Sequence, residues 1–292
     1  RKENAFYLAR DRMGEKPLYY GFNNKNFLFG SELKAISAFP DFKKDINKQA
    51  LALYLQYNYI PTPYSIFQGI KKLKPGAILR ISIDDIRKKY LPSPKTYWSV
   101  RDAVINGKAN QFEGTEDDAS IKFDKLLRQS ISGQMLADVP LGAFLSGGID
   151  STMVTAIMQS ESMVPVKTFT IGFQESEYNE ANYANAIASF LKTNHTELYV
   201  TPNEVMDVIP ALPKIYDEPF SDPSQIPTYL LSKLTREQVT VSLSGDGGDE
   251  LFGGYNRYIS APLIWRRFQW MPRNIRLVIA GIMTYFPPAL WD

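Results

Sequence analysis

The chain has 292 residues, of which 44% are hydrophobic and 22% are charged, and its formal net charge is +2. This length exceeds that of a usual single domain, so we expect two domains. The near-neutral charge provides no bulk electrostatic reason to expect nucleic acid or an acidic membrane surface as a partner. Cysteine is absent, which excludes disulfides, thiolate metal sites and a thiol nucleophile from these residues.

The two ends of the sequence provide information on membrane insertion and on the location of the protein. The longest apolar run near the end, residues 277–286, is half the roughly 20 residues that span a bilayer, so we interpret it as a buried helix face. No signal peptide opens the chain, and its first residues lack an initiating Met and enter an alternating pattern directly. We therefore expect a fragment of a longer cytoplasmic protein.

The first hundred residues show strand-like alternation. The runs AFYLA, PLYYGF and NFLFG predict strands that include one hairpin. Ser31 predicts an N-capped helix, and a second helix is expected over residues 46–57. Pro75 and Gly76 are predicted to separate another pair of strands. This part of the chain is therefore predicted to be α+β.

A domain boundary is predicted near the proline-rich residues 91–98, which gives domains 1–99 and 100–292. Beyond it, Thr115 and Asp118 form the pattern of a capping box at a helix start. The strand-like runs VPLGAFL, VKTFTIGF, HTELYV and VTVSLS then alternate with helical runs. Such alternation predicts βαβ units and an α/β fold with a doubly wound parallel sheet.

The segment FLSGGIDST, residues 144–152, follows the first of these strands. Gly147 and Gly148 allow the backbone to approach phosphate oxygens, and the following helix directs its positive N-terminus into the same crevice. Hydroxyl groups that can add hydrogen bonds are those of Ser146, Ser151 and Thr152. The segment therefore predicts an anion-binding loop.

Asp150 has two interpretations. A carboxylate beside a phosphate site is repelled unless a cation lies between them, which suggests Mg²⁺. Alternatively, an acidic residue at a helix start is favoured by capping and by the helix dipole without any ligand. The chain lacks the G-x-x-x-x-G-K-[ST] pattern, and no G-x-G-x-x-G follows its first strand. Kinase-like and dinucleotide-binding functions therefore lose their main support.

A second glycine-rich loop, SLSGDGGDELFGGY over residues 242–255, also follows an apolar strand. It carries Asp246, Asp249 and Glu250 among five glycines. Loops at the carboxyl ends of strands in one parallel sheet are expected to face a shared crevice. Asp249 is therefore predicted to share a metal ion with Asp150.

These two loops resemble the motifs of a known family. FLSGGIDST resembles the pyrophosphate-binding loop (PP-loop) of the N-type ATP pyrophosphatases, and SLSGDGGDELFGGY is similar to the partner motif of their asparagine synthetase branch. LARDRMGEKPLYY, FLFGSELKAI and YIPTPYSIFQGIKKLKPG resemble the later part of a glutaminase domain in glutamine-hydrolysing asparagine synthetase of the bacterial B type. The resemblance implies an adenine nucleotide alpha hydrolase-like fold, preceded by a remnant of an N-terminal-nucleophile glutaminase domain.

The resemblance also implies an activity. ATP would convert the β-carboxylate of aspartate to a mixed anhydride with AMP, and ammonia derived from glutamine would attack it. The residues implied to contact ATP are Leu145, Ile171, Ser244 and Gly245. The residues implied to hold pyrophosphate are Ser146, Gly147, Gly148, Ser151 and Thr152. Asp150 and Asp249 are implied to bind Mg²⁺, and Asp246 to assist the aspartyl-adenylate.

The sequence departs from the family at some points. Relatives often carry Glu at position 246, and Asp246 is shorter by one methylene. The cysteine nucleophile of the glutaminase, its glutamine-binding residues and a distal catalytic lysine have no counterpart in these residues. We expect small-molecule substrates, no nucleic-acid or membrane partner, and a homodimer. The alternatives left open are a β-lactam synthetase-like amide-forming enzyme and an inactive nucleotide-binding scaffold.

Two further features are predicted to be structural. His195, the only histidine, has no second imidazole or cysteine to complete a transition-metal site, so we expect it to pack or to form hydrogen bonds. The run WRRFQW, residues 265–270, is predicted to belong to an amphipathic helix that docks on a neighbour.

Overall fold

The computed structural model describes residues 3–173, 180–283 and 285. The chain forms two compact units, each of which combines two separate stretches of the sequence. Unit 1 consists of Arg1–Leu126 and Val200–Leu230, and unit 2 consists of Leu127–Tyr199 and Leu231–Asp292. The predicted division into domains 1–99 and 100–292 stays a prediction.

The secondary structure alternates along much of the chain. The strands are β1 Ala5–Ala9, β2 Tyr19–Asn23, β3 Asn26–Gly30, β4 Ile70–Lys72, β5 Ala77–Ser82, β6 Lys95–Thr96, β7 Leu141–Phe144, β8 Lys167–Phe173, β9 Asn194–Val200 and β10 Val241–Leu243. The helices are α1 Leu33–Ser37, α2 Lys48–Tyr57, α3 Ile83–Arg87, α4 Val100–Ala109, α5 Glu116–Gln134, α6 Ile149–Glu161, α7 Ala181–Leu191, α8 Pro202–Val208, α9 Leu212–Ile215, α10 Gln225–Arg236, α11 Gly248–Phe252, α12 Asn256–Phe268 and α13 Arg273–Met283.

Unit 1 contains two antiparallel three-stranded sheets, ordered β1-β5-β6 and β3-β2-β4. The predicted hairpin is confirmed, because β2 pairs with β3 and Asn24 adopts φ 57° at the turn. Strands β4 and β5 do flank Pro75-Gly76, but they belong to different sheets. The two strands predicted around Pro75-Gly76 are therefore present, and sequence spacing alone does not select their partners.

The start of α1 also differs from the prediction. Glu32, rather than Ser31, is the N-cap residue, and it makes no side-chain cap hydrogen bond. The N–H of Leu33 instead donates to the carboxylate of Asp217, which is 184 positions further along the chain. Leu33 and Ile36 are buried in the first core of unit 1. A distant acid therefore replaces the local cap at this helix end.

Unit 2 is built on the four-stranded sheet β10-β7-β8-β9, in which β7 pairs in parallel with both β8 and β10. Helix α6 connects β7 to β8, and α7 precedes β9. The capping box between Thr115 and Asp118 at the start of α5 is confirmed. The prediction of an α/β fold with a parallel sheet is thus confirmed, whereas the doubly wound arrangement stays a prediction.

Helices α12 and α13 are largely exposed. Leu277 is 58% exposed and Val278 is 61% exposed, so the prediction that the run from residue 277 is a buried helix face is wrong for its described part. Trp265 and Trp270 are also exposed, and the docking expected of this helix stays a prediction. Among the residues that the structure describes, no helix is both long and apolar enough to cross a membrane.

Candidate functional site

The first loop starts from a fixed position at the carboxyl end of β7. Leu145 is 1% exposed and packs against Ala184 and Ala188 of α7. The N–H of Leu145 donates to the carbonyl of Phe169 at 3.0 Å, and the carbonyl of Leu145 accepts a hydrogen bond from the hydroxyl of Thr170. Ile171 is the next residue of β8. The backbone at Leu145 is therefore held on both sides of its peptide group.

Hydroxyl groups hold the loop itself. The Oγ atoms of Ser146 and Ser151 lie 3.0 Å apart, and the N–H of Ser146 donates to Ser151 Oγ at 3.2 Å. Ser151 Oγ lies 3.2 Å from the carbonyl oxygen of Gly148, whose N–H donates to Ser146 Oγ at 3.3 Å. These contacts order the loop without a ligand.

Gly147 is required by the approach of α7. Its φ is +86°, a conformation that L side chains rarely adopt. A Cβ atom at this position would lie 2.7 Å from Tyr183 Cβ and 3.0 Å from the N atom of Ala184. The missing side chain would therefore point at the first turn of α7, a contact that the spacing of the sequence did not indicate.

Helix α6 begins directly after this loop, with Gly148 as its N-cap residue. The N–H groups of its first turn have no partner within the helix and form the positive end of its dipole. Asp150 lies in this first turn, and Ile149 beside it is 84% exposed. The hydroxyl of Thr152 is buried and forms no hydrogen bond to any described residue. Binding of an anion by this loop stays a prediction.

The second loop follows β10 and is ordered by its own polar groups. Ser244 Oγ donates to Asp246 Oδ2 at 3.0 Å, and the N–H of Asp246 lies 3.4 Å from Ser244 Oγ. The N–H of Gly248 donates to the carbonyl of Gly245 at 3.2 Å. Gly247 has φ +90°, so a residue with a side chain would be strained there. The Asp246 carboxylate is exposed but oriented by Ser244.

The two loops meet within unit 2. A Cβ atom on Gly245 would lie 2.7 Å from the N atom of Ser151 and 3.0 Å from the carbonyl carbon of Asp150. The carboxylate of Asp150 lies where a side chain on Gly248 would begin. The parallel pairing of β10 with β7 brings the carboxyl ends of both strands to one edge, where ligands bind in such sheets. Glycine at positions 245 and 248 permits this close approach.

The acidic side chains of the two loops lie against different glycines. The Asp150 carboxylate lies against Gly248, whereas that of Asp249 lies against Gly254. Glu250 accepts a hydrogen bond from the Tyr255 hydroxyl at 2.7 Å, which lowers the pKa of the Glu250 carboxyl. In the described ranges, no three His, Cys, Asp or Glu side chains gather into a metal-binding group. A metal ion shared by Asp150 and Asp249 stays a prediction.

His195 lies outside this site, in β9. Its Nδ1 atom is 2.8 Å from Thr168 Oγ1, and its Nε2 atom is 3.6 Å from a Glu197 carboxylate oxygen. Burial lowers the pKa of His195 below its ordinary value, and the charge of Glu197 opposes this effect. The expected packing and hydrogen-bonding role is confirmed.

Family models match two parts of the chain. The model described as asparagine synthase matches residues 122–289, and the model described as glutamine amidotransferase domain matches residues 1–98.

Similar curated proteins carry the same description. A putative glutamine-hydrolysing asparagine synthetase 2 of Methanocaldococcus jannaschii is 38% identical, over 89% of this chain and 49% of the relative. Asparagine synthetase 1 of Bacillus subtilis is 33% identical, over 99% of this chain and 44% of the relative. A putative asparagine synthetase of Mycobacterium tuberculosis is 31% identical, over 97% and 42%. The chain thus spans about half the length of these relatives. Because the asparagine synthase model covers more than half of its residues, the chain belongs to the asparagine synthase family.

Proposed function

We propose that the chain carries the nucleotide-binding loops of an ATP-dependent enzyme that converts aspartate to asparagine. The observation that carries this proposal is the contact of Gly245 and Gly248 with the start of α6. Two glycine-rich loops, at the carboxyl ends of adjacent parallel strands, thereby form one edge suited to a nucleotide. The family membership and the names of the relatives support asparagine synthesis as the reaction.

The proposed reaction has two steps. An oxygen of the aspartate β-carboxylate attacks the α-phosphorus of ATP, which forms β-aspartyl-AMP and releases pyrophosphate. Ammonia then attacks the activated carbonyl carbon, AMP leaves with the bonding electron pair, and the attacking nitrogen loses a proton. Asparagine, AMP and pyrophosphate are the products. Catalysis of both steps depends mainly on positioning and on stabilising charge.

The first loop is proposed to bind the pyrophosphate portion of ATP. Its backbone and hydroxyl groups are already ordered by the contact between Ser146 and Ser151, so little conformational freedom would be lost on binding. The positive end of α6 favours an anion at this edge. The pyrophosphate-binding residues would be Ser146, Gly147, Gly148, Ser151 and Thr152.

The remaining contacts to ATP and substrate come from neighbouring elements. Leu145 directly follows the central strand β7, Ile171 lies in the central strand β8, and Ser244 and Gly245 open the second loop. We propose that these four residues contact ATP. Asp246, whose carboxylate is oriented by Ser244, is proposed to assist formation or use of the adenylate. The proposed catalytic residues are therefore Asp246 and Asp249.

The carboxylate chemistry of the two loops supports a magnesium ion as part of the proposal. Mg²⁺ in nucleotide sites prefers one or two carboxylates together with phosphate oxygens, and Asp150 and Asp249 lie on the two loops that meet. We propose that these two carboxylates hold the ion. When bound, Mg²⁺ would neutralise charge on the departing pyrophosphate.

The nitrogen source is proposed to be glutamine, with free ammonia as a substitute. The match of residues 1–98 to a glutamine amidotransferase domain supports this proposal. Since the 292 residues contain no cysteine, we expect them to release no glutamate from glutamine by themselves. The two-domain division, a cytoplasmic location and a homodimer remain predictions.

ATP–pyrophosphate exchange by the full-length protein tests the function. We expect exchange that depends on aspartate and exceeds exchange with other carboxylic acids. Exchange that requires a different acid, followed by closure of an internal amide, would instead identify a β-lactam synthetase-like enzyme. ATP binding without exchange for any acid would identify a nucleotide-binding scaffold and refute the proposal.

A further inference from the structure

A single basic residue accompanies the two glycine-rich loops. Residues 144–152 contain no Lys or Arg, and residues 242–258 contain only Arg257. The same two stretches carry the acids Asp150, Asp246, Asp249 and Glu250. ATP and aspartate are both anionic, so positive charge is needed to hold them beside these acids. Arg257 is the residue of the two stretches whose charge matches the proposed substrates.

Two tyrosine rings hold the Arg257 side chain. Its Cζ atom lies 4.1 Å from the centre of the Tyr255 ring and 5.8 Å from the centre of the Tyr258 ring. The two ring centres are 5.9 Å apart. A guanidinium within about 6 Å of a ring centre is attracted by the ring quadrupole. The guanidinium is therefore positioned by both rings, while the residue itself is exposed.

The Tyr255 ring is in turn fixed to the second loop. Its hydroxyl donates to Glu250 Oε1 at 2.7 Å, and this hydrogen bond raises the pKa of the Tyr255 hydroxyl. The charge of Asp249 contributes to the same rise in pKa. The Asp249 carboxylate lies against Gly254, the residue directly before Tyr255. Arg257 is thus connected, through Tyr255, to the part of the loop that carries Asp249.

Helix α12 does not account for this positive charge. Arg257 is the second residue of α12, and the first turn of this helix contains no acid. A cation is favoured near the carboxyl end of a helix, so the dipole gives no reason for an arginine at the amino end. The Glu250 carboxylate is bound to Tyr255 instead. Within the described ranges, the Arg257 guanidinium forms no hydrogen bond or ion pair, so its N–H groups can donate to a ligand.

We propose that Arg257 binds the α-carboxylate of the amino-acid substrate, which is the carboxylate that the reaction does not activate. The N–H groups of a guanidinium form a rigid planar fork that matches a carboxylate with two parallel hydrogen bonds. The polyphosphate of ATP is proposed to bind the first loop and the positive end of α6. The two loops contain no other basic residue for the second carboxylate of aspartate. This inference rests on the proposed function, because it takes aspartate as the substrate.

The test measures aspartate-dependent ATP–pyrophosphate exchange by the full-length protein. The variants are Arg257→Gln, Arg257→Lys and the control Arg266→Gln, which changes an exposed arginine in the last turn of α12. Loss of hydrogen bonds to a charged group typically shifts a binding equilibrium about tenfold. We therefore expect the KM for aspartate to rise about tenfold in Arg257→Gln, while the KM for ATP stays unchanged. The rise should be smaller in Arg257→Lys, which keeps the charge but loses the planar fork, and absent in Arg266→Gln.

A substrate analogue identifies which carboxylate is bound. β-Alanine keeps the amine and the reacting carboxylate of aspartate but lacks the α-carboxylate. Wild type should therefore exchange with a higher kcat/KM for aspartate than for β-alanine. This preference should fall about tenfold in Arg257→Gln, because the contact to the α-carboxylate is lost. An unchanged preference would overturn the assignment of Arg257 to this group.

The other outcomes separate the inference from the proposed function. Since Arg257 is exposed, its variants should keep the melting temperature of wild type. A rise in the KM for ATP alone would show that Arg257 binds phosphate, and kinetics equal to those of Arg266→Gln would show that it only stacks on the tyrosines. Either result would overturn the inference and leave the function intact. A wild-type protein that shows no exchange with aspartate would refute the proposed function itself.

Discussion

Replacement of Gly245 by Ala tests whether the two glycine loops are in contact. The added Cβ atom would lie 2.7 Å from the N atom of Ser151 and 3.0 Å from the carbonyl carbon of Asp150. Both are backbone atoms, so the contact cannot be relieved by rotating a side chain. Overpacking of a well-packed region costs about 1–3 kcal/mol. We expect the free energy of unfolding to fall by this amount and MgATP affinity to fall with it, because the loops would separate.

Gly133→Ala is a matched control in the same unit. Gly133 lies in α5, and a Cβ atom there would contact nothing within 4 Å. Alanine is favoured over glycine in a helix by up to about 1 kcal/mol, so this identical chemical change should leave stability equal or higher. Chemical denaturation gives the stabilities and titration calorimetry gives the MgATP affinity. If Gly245→Ala matched Gly133→Ala in both measurements, the proposed contact between the loops would be refuted.

Three further variants test separate features. Lys72→Met should lower the free energy of unfolding by about 3–5 kcal/mol in chemical denaturation, since it leaves the Glu218 carboxylate buried without its cation; a loss below about 1 kcal/mol, as expected of exposed pairs, would contradict this. In wild type, stability should fall as pH drops below 6.5, because the unfolded chain binds a proton that buried His195 resists. His195→Asn should flatten this fall, and an unchanged pH profile of the melting temperature would refute the assignment. Asp249→Asn in the full-length protein should slow aspartate-dependent ATP–pyrophosphate exchange by about 10²–10³-fold. The control is Asp207→Asn, which changes an exposed acid of α8. Equally fast exchange in the two variants would show that Asp249 has no role in the reaction.

The sequence predicted the local elements of the site well. Strand β7, the loop from Ser146 and helix α6 occur in the predicted order, because their signals are local: an apolar run, adjacent glycines and a helical spacing. The meeting of this loop with the one after β10 was also expected, since parallel strands bring their carboxyl ends to one edge.

Contacts between distant residues were not predicted. The cap of α1 by Asp217 spans 184 positions, and nothing in the local pattern around Ser31 indicates that a remote acid replaces it. The pairing of β4 with β2 rather than with β5 likewise depends on packing of unit 1. The role of Gly147 was expected to be phosphate approach, whereas its missing side chain faces Tyr183. Spacing carries no information on such partners.

The position of Asp150 helps to separate its two interpretations. An acid in the first turn of α6 is favoured by the helix dipole whether or not a metal binds, so its presence alone is no argument for Mg²⁺. The dipole account, however, involves only α6 and gives no reason for a second loop to approach. The carboxylate in fact lies against Gly248, at a place that a side chain from the second loop would occupy. The Asp249 carboxylate lies against Gly254 instead, so a cation shared with Asp150 stays a prediction. Asp249, which lies outside α6, is therefore the residue whose substitution distinguishes the two interpretations.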